Sequence, residues 1–189
     1  FSTGTTTLGN SGYVFFGTGT ATSGTGGDID VIVGSGDSSD GGSVYVSAGE
    51  TTSQASVGGF VQITGGHGSF ADSGADGGDG GGVFVYGGIA SGGGSGDTGG
   101  NIELTGGLAT SGSGGSIVVD TGYGIASSSG HFYLATFNAG DAGISGHLRF
   151  QTGTTSEGDS GYFSVVSGDA TSGKAGYVSM EVGDGDTGS

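Results

Sequence analysis

A repeat of about fifteen residues constrains this chain more than any other feature. A unit written G-x-Φ-x-Φ-x-x-G, followed by a small polar return, begins at Gly12, Gly27, Gly42, Gly59, Gly81, Gly100, Gly115, Gly130, Gly146, Gly161 and Gly176. Most intervals are 15 residues, with 17, 22 and 19 between Gly42 and Gly100 and 16 between Gly130 and Gly146. The third position reads Val14, Ile29, Val44, Val61, Val83, Ile102, Ile117, Phe132, Leu148, Phe163 and Val178. The fifth reads Phe16, Val31, Val46, Ile63, Val85, Leu104, Val119, Leu134, Phe150, Val165 and Met180, so both columns are wholly apolar. Period-two spacing of β-branched and aromatic residues predicts short strands whose third and fifth side chains share one face.

The eighth position is Gly in ten units and Phe137 in the other, so both strand ends read as glycine corners. The tenth holds only Ala, Gly or Thr, as at Ala21, Gly36, Thr51 and Ala109, and a small side chain there would let the return lie close over the strand. Returns often read Ala-Thr-Ser-Gly, as at 170–173, and are too extended and too regular in length for a tight hairpin turn, whose loop usually has two to five residues. The expected fold is therefore all-β: a flattened single-domain β-solenoid, or parallel β-helix, of about eleven 15-residue coils stacked roughly 4.8 Å apart. The alternative is an antiparallel meander closed as a sandwich or barrel. Residues 1–11 read as an N-terminal segment available to pair with a neighbouring subunit, 12–189 as the repeat domain, and 59–99 as enlarged loops bulging from one edge.

The opposite face of these strands is not polar in the ordinary way. Tyr13, Phe15, Tyr45, Phe60, Phe84, Tyr133, Tyr162 and Tyr177 occupy second or fourth positions, with Tyr86 just beyond. Aromatics in such columns either pair across strands on an exposed sheet or form a contact with a subunit or ligand, and these nine are the candidate assembly or ligand surface. The sequence shows no capping segment at either end, and uncapped coils add head to tail into an open filament. An excerpt from a longer array would read the same way, and Phe1 in place of an initiator Met fits a processed product or a portion of something longer.

Composition narrows the function classes. The 189 residues include 52 Gly, 28 Ser and 21 Thr, with no Pro, Cys or Trp. An apolar share of 31% leaves only a thin core. Two basic residues, Arg149 and Lys174, stand against 18 acidic ones, a net charge of -16 that opposes nucleic acid and anionic membranes. No apolar run approaches the roughly 18 residues of a transmembrane helix. Asn10, Asn101 and Asn138 lack the acceptor pattern for N-glycans, while Ser and Thr leave O-glycans open. No catalytic motif emerges: matches to G-x-G-x-x-G are compositional, and Glu50, Glu103, Glu157 and Glu181 offer no acid and base pair.

Metal and cofactor signals are weak. His131 and His147 share the second position of adjacent units and could stack as a surface pair, with His67 elsewhere and no thiol to complete a zinc site. Return carboxylates Asp37, Asp40, Asp72, Asp76, Asp79, Asp97, Asp141, Asp159 and Asp169 could hold Ca2+, or could stay solvated and keep a glycine-rich sheet soluble. No cofactor is expected.

Ser-Gly-Asp-Ala-Thr-Ser-Gly (167–173) followed by Gly-Tyr-Val-Ser-Met-Glu-Val-Gly (176–183), and the stretch 107–117, resemble Gly, Ser and Thr repeats of large secreted or cell-surface proteins of algae, notably diatoms and related stramenopiles. The resemblance covers nearly the whole chain from Gly12 and implies an extracellular structural or adhesive role. The resulting expectation is a non-enzymatic structural subunit of an extracellular filament or surface layer, assembling with copies of itself by strand stacking and aromatic contacts. An adhesive, glycan-binding or ice-binding module is the alternative. Ice binding fits poorly, because the outward columns mix Tyr, Asp, Ser, His and Arg instead of forming a Thr ladder.

Overall fold

The computed structural model describes residues 1–70 and 76–185. Among them there is no helix and no strand, only extended runs joined by bends and turns. This overturns the expected β-solenoid, and it overturns the antiparallel sandwich or barrel as well. No described residue is buried, so the thin core expected from the third and fifth columns is absent. The chain exposes 18855 Å², against about 7,900 Å² for a folded monomer of its mass. The cause lies in the unit itself. Two inward apolar side chains must offset the ordering of some fifteen residues, and glycine, the commonest of these, loses the most freedom.

Local geometry nevertheless keeps the period-two pattern. Side chains two apart meet on one face: Gln62 Nε2 donates to Thr64 Oγ1 at 3.3 Å, and Ser179 Oγ donates to Glu181 Oε1 at 3.0 Å. Exposure differs by column: the third is 49% to 65% exposed, the fifth 52% to 93%, and the nine outward aromatics 76% to 91%. Only the third column is thus partly sheltered.

The chain divides into two units, Phe1–Glu103 and Leu104–Ser189. Both are built from the same device, a neck at which each opening glycine returns to the seventh and eighth residues of the preceding repeat. In the first unit the N–H groups of Gly59, Gly81 and Gly100 donate to the carbonyls of Gly49, Gly66 and Gly88, each at 2.9 Å. In the second, Gly115 donates to Gly107 at 2.9 Å and Gly130 to Gly122 at 3.0 Å. Elsewhere a seventh-position hydroxyl bonds the opening glycine's carbonyl, Thr18 to Gly27 at 3.0 Å and Thr136 to Gly146 at 3.3 Å.

The necks account for the opening glycine at some starts, while at Gly12, Gly27, Gly161 and Gly176 a Cβ would make only ordinary contact. At all eleven starts a Cβ would point at the seventh or eighth residue of the repeat before: 2.9 Å from Gly107 N at Gly115, 2.8 Å from Gly88 N at Gly100, and 3.2 Å from Thr136 Cγ2 at Gly146. The eighth position is different. A Cβ at Gly19, Gly34, Gly49, Gly66, Gly88, Gly107, Gly122, Gly153, Gly168 or Gly183 would meet nothing within 4 Å. The isolated chain therefore demands glycine at some repeat starts, such as Gly100 and Gly115, and at none of these eighth positions.

The small tenth position also has another cause than expected. Gly124 faces the carbonyls of Ser127 and Ser128, and Gly68 faces Gly78 and Asp79, so the return folds upon itself and does not lie over the strand. The half-buried residues are Gly65, Gly68, Gly87, Gly106, Ala109 and Gly124, every one at a seventh or tenth position. Residues 1–11 follow the same scheme, with Thr3 placed against Gly12 as Thr18 is against Gly27. Thr6 Oγ1 donates to the Leu8 carbonyl at 2.8 Å and Gly9 has φ 89°; the equivalent Thr155 bonds Glu157 at 2.8 Å and Gly158 has φ 96°. Both turns place glycine in the left-handed region, which other residues enter at a cost.

Candidate functional surface

The outward aromatic face is the most prominent chemical feature. Extended backbone projects alternate side chains to opposite faces, so second, fourth and sixth positions form one row within each repeat. Phe84 and Tyr86 adjoin in that row, with ring centroids 6.2 Å apart and planes within 4°. The Phe84 ring lies over Gly82, where a Cβ would sit 3.0 Å from it, and the Phe15 ring lies over Gly17 in the same manner. Glycine in the outward row thus leaves room for the neighbouring ring that a side chain there would take. His131 and Tyr133 form a tilted pair at 5.9 Å, so the ring His131 meets is Tyr133 and not the expected His147.

Tyr13, Phe15, Tyr45, Phe60, Tyr162 and Tyr177 each stand in the outward row without a ring contact among the described residues. The structure adds Ile32, Val118 and Val166 to this surface, at 83%, 75% and 83% exposure. Their fourth and sixth positions carried that signal in the repeat, but they are aliphatic and were passed over in favour of rings. On the inward face, Phe1 meets Phe16 edge to face at 5.9 Å, one repeat apart at equivalent positions, and Phe150 stacks with Phe163 at 6.1 Å.

The carboxylates do not converge. Among the described residues no three His, Asp or Glu side chains gather as metal ligands, and Asp72 lies outside those residues. Asp97 instead closes a turn: its Oδ2 accepts from Gly94 N–H at 3.0 Å, and its own N–H donates to the Gly94 carbonyl at 3.1 Å. An open hollow of about 660 Å³ is lined by Thr3, Gly4, Thr5, Thr6, Gly9, Asn10 and Ser11, none of which is ionisable. No described helix is long and apolar enough to cross a membrane. No family model, curated protein or solved structure matches the chain.

Proposed function

We propose that this chain is a structural, non-enzymatic subunit that assembles with copies of itself into an extracellular filament or surface layer. The observation carrying this reading is the exposure of the third and fifth apolar columns in every repeat, 49% or more, together with the nine outward aromatics at 76% to 91%. Soluble monomers seldom expose contiguous apolar surface on this scale, and its usual meaning is a contact with a partner. The backbone bonds of the necks and turns leave extended runs such as Tyr13–Phe16 as a template for strand addition.

The eighth-position glycines support the same reading. Glycine in an extended element costs about 0.5–1 kcal/mol relative to alanine, and ten such positions have open space around them in the isolated chain. Close approach of another backbone supplies a reason for glycine that the single chain does not. An extracellular setting is drawn from the algal surface-protein resemblance, together with the charge of -16 that keeps free subunits apart in solution.

Glycan adhesion is the second reading, favoured by one observation: the parallel Phe84 and Tyr86 rings offer a flat platform on which a sugar ring could stack. Negative-stain electron microscopy of the purified chain across a salt series separates the two. Regular filaments or sheets are expected. Monomers at every ionic strength that bind immobilised neutral glycans would overturn self-assembly in favour of adhesion.

A further inference from the structure

Resting on the self-assembly reading, we propose that copies join through two particular segments, Tyr13–Gly17 and Gly82–Tyr86, each stacking in register on the same segment of the next copy. These are the two repeats in which every residue from the second to the sixth position is apolar or glycine. The others interrupt the row: Asp28 and Asp30, Ser43 and Ser47, Gln62 and Thr64, Asn101 and Glu103, Ser116 and Asp120, His131, His147 and Arg149, Ser164, and Ser179 and Glu181. Like-on-like stacking puts identical side chains about 4.8 Å apart, so an outward carboxylate would face its own copy while an uncharged ring would gain a stacking partner.

Both segments are open on the outward face, with Tyr13 at 89%, Phe15 at 80%, Phe84 at 76% and Tyr86 at 81% exposure. Four rings, at about 150–250 Å² each, approach the roughly 800 Å² per partner of a stable interface. Phe15 and Phe84 each lie close to a glycine of their own row, Gly17 and Gly82, where no side chain competes for the space. Both segments belong to the unit Phe1–Glu103. A chain of charge -16 approaches its copy with least repulsion where the contacting residues carry none.

The test uses the full chain polymerised as a mixture of isotopically heavy and light copies, followed by photo-oxidative dityrosine formation and mass spectrometry. Inter-chain Tyr13–Tyr13 and Tyr86–Tyr86 links are expected to exceed those involving Tyr123, Tyr162 or Tyr177 several-fold. An even distribution among the tyrosines would overturn the assignment while leaving assembly intact. Phe15→Asp and Phe84→Asp should each raise the critical concentration about tenfold, whereas Gln62→Asp and Ser164→Asp, adding the same charge at the same repeat position, should stay within about twofold. Equal effects from all four would likewise overturn it. A wild-type chain that forms no polymer under any condition defeats the self-assembly reading itself, a result distinct from both.

Discussion

Substituting alanine at the two ends of one neck should give opposite results. Gly115 opens its repeat, and a Cβ there would sit 2.9 Å from Gly107 N, so the backbone must shift and the 2.9 Å bond from Gly115 N–H to the Gly107 carbonyl is lost. A net loss of about 0.5–1.5 kcal/mol is expected for such a bond. Gly107 accepts that bond, yet a Cβ on it meets nothing within 4 Å, and its φ lies outside the left-handed region. Alanine there restricts the open chain more than the closed neck and should stabilise by about 0.4–1 kcal/mol. The two variants thus differ by about 1–2.5 kcal/mol, roughly 5- to 70-fold in neck opening.

Amide hydrogen exchange at residue 115, measured by NMR on unassembled protein, reads this directly. The wild-type amide should be protected a few-fold, Gly115→Ala should return it to the rate of an unstructured amide, and Gly107→Ala should raise protection about two- to fivefold. Matching rates in the two variants, or no protection at Gly115, Gly59 or Gly100 in the wild type, would refute the neck as the organising contact.

Three further outcomes are expected. Far-UV circular dichroism of the free chain should lack a β-sheet band and acquire one as scattering grows, since pairing of extended runs requires a second copy. Assembly should be slow at low ionic strength, speed up in about 0.1 M salt as the Debye length falls to about 10 Å, and speed up again as pH falls toward the isoelectric point near 4.1; filaments favoured by low salt at neutral pH would contradict the charge argument. Gly158→Ala should open its turn at a cost of about 1–2 kcal/mol, while Gly153→Ala, with open space and no left-handed φ, should not; exchange at nearby amides compares them.

What the sequence made legible was whatever depends on a residue and its near neighbours. Period-two spacing showed in local contacts, since Gln62 meets Thr64 and Ser179 meets Glu181, although the strands expected from the columns Val14 to Val178 and Phe16 to Met180 did not form. Glycine at the repeat start read as a strand corner, whereas at starts such as Gly100 and Gly115 it serves a close approach of two backbones. Periodicity was silent on whether anything lies beside those columns, because pairing is non-local and fifteen-residue spacing is equally consistent with coils stacked within one chain and with runs awaiting another. The eighth-position glycines misled for the same reason. Their regularity suggested a corner in the chain, whereas Phe137 occupies that position at 96% exposure without penalty. The outward surface was read from its rings, and Ile32, Val118 and Val166 were missed because their residue type is unremarkable even though their place in the row is not.

The five bonded necks close returns of very different size. Gly107 to Gly115 and Gly122 to Gly130 enclose short loops, Gly49 to Gly59 and Gly88 to Gly100 longer ones, and Gly66 to Gly81 the longest, yet the closing bond is 2.9–3.0 Å in all. Doubling a loop adds only about 0.6 kcal/mol of closure entropy, so loop length and neck geometry are nearly independent. Each return therefore behaves as a cassette. Foreign peptides spliced between Ile89 and Gly99 should be carried without opening the neck that Gly100 and Gly88 close.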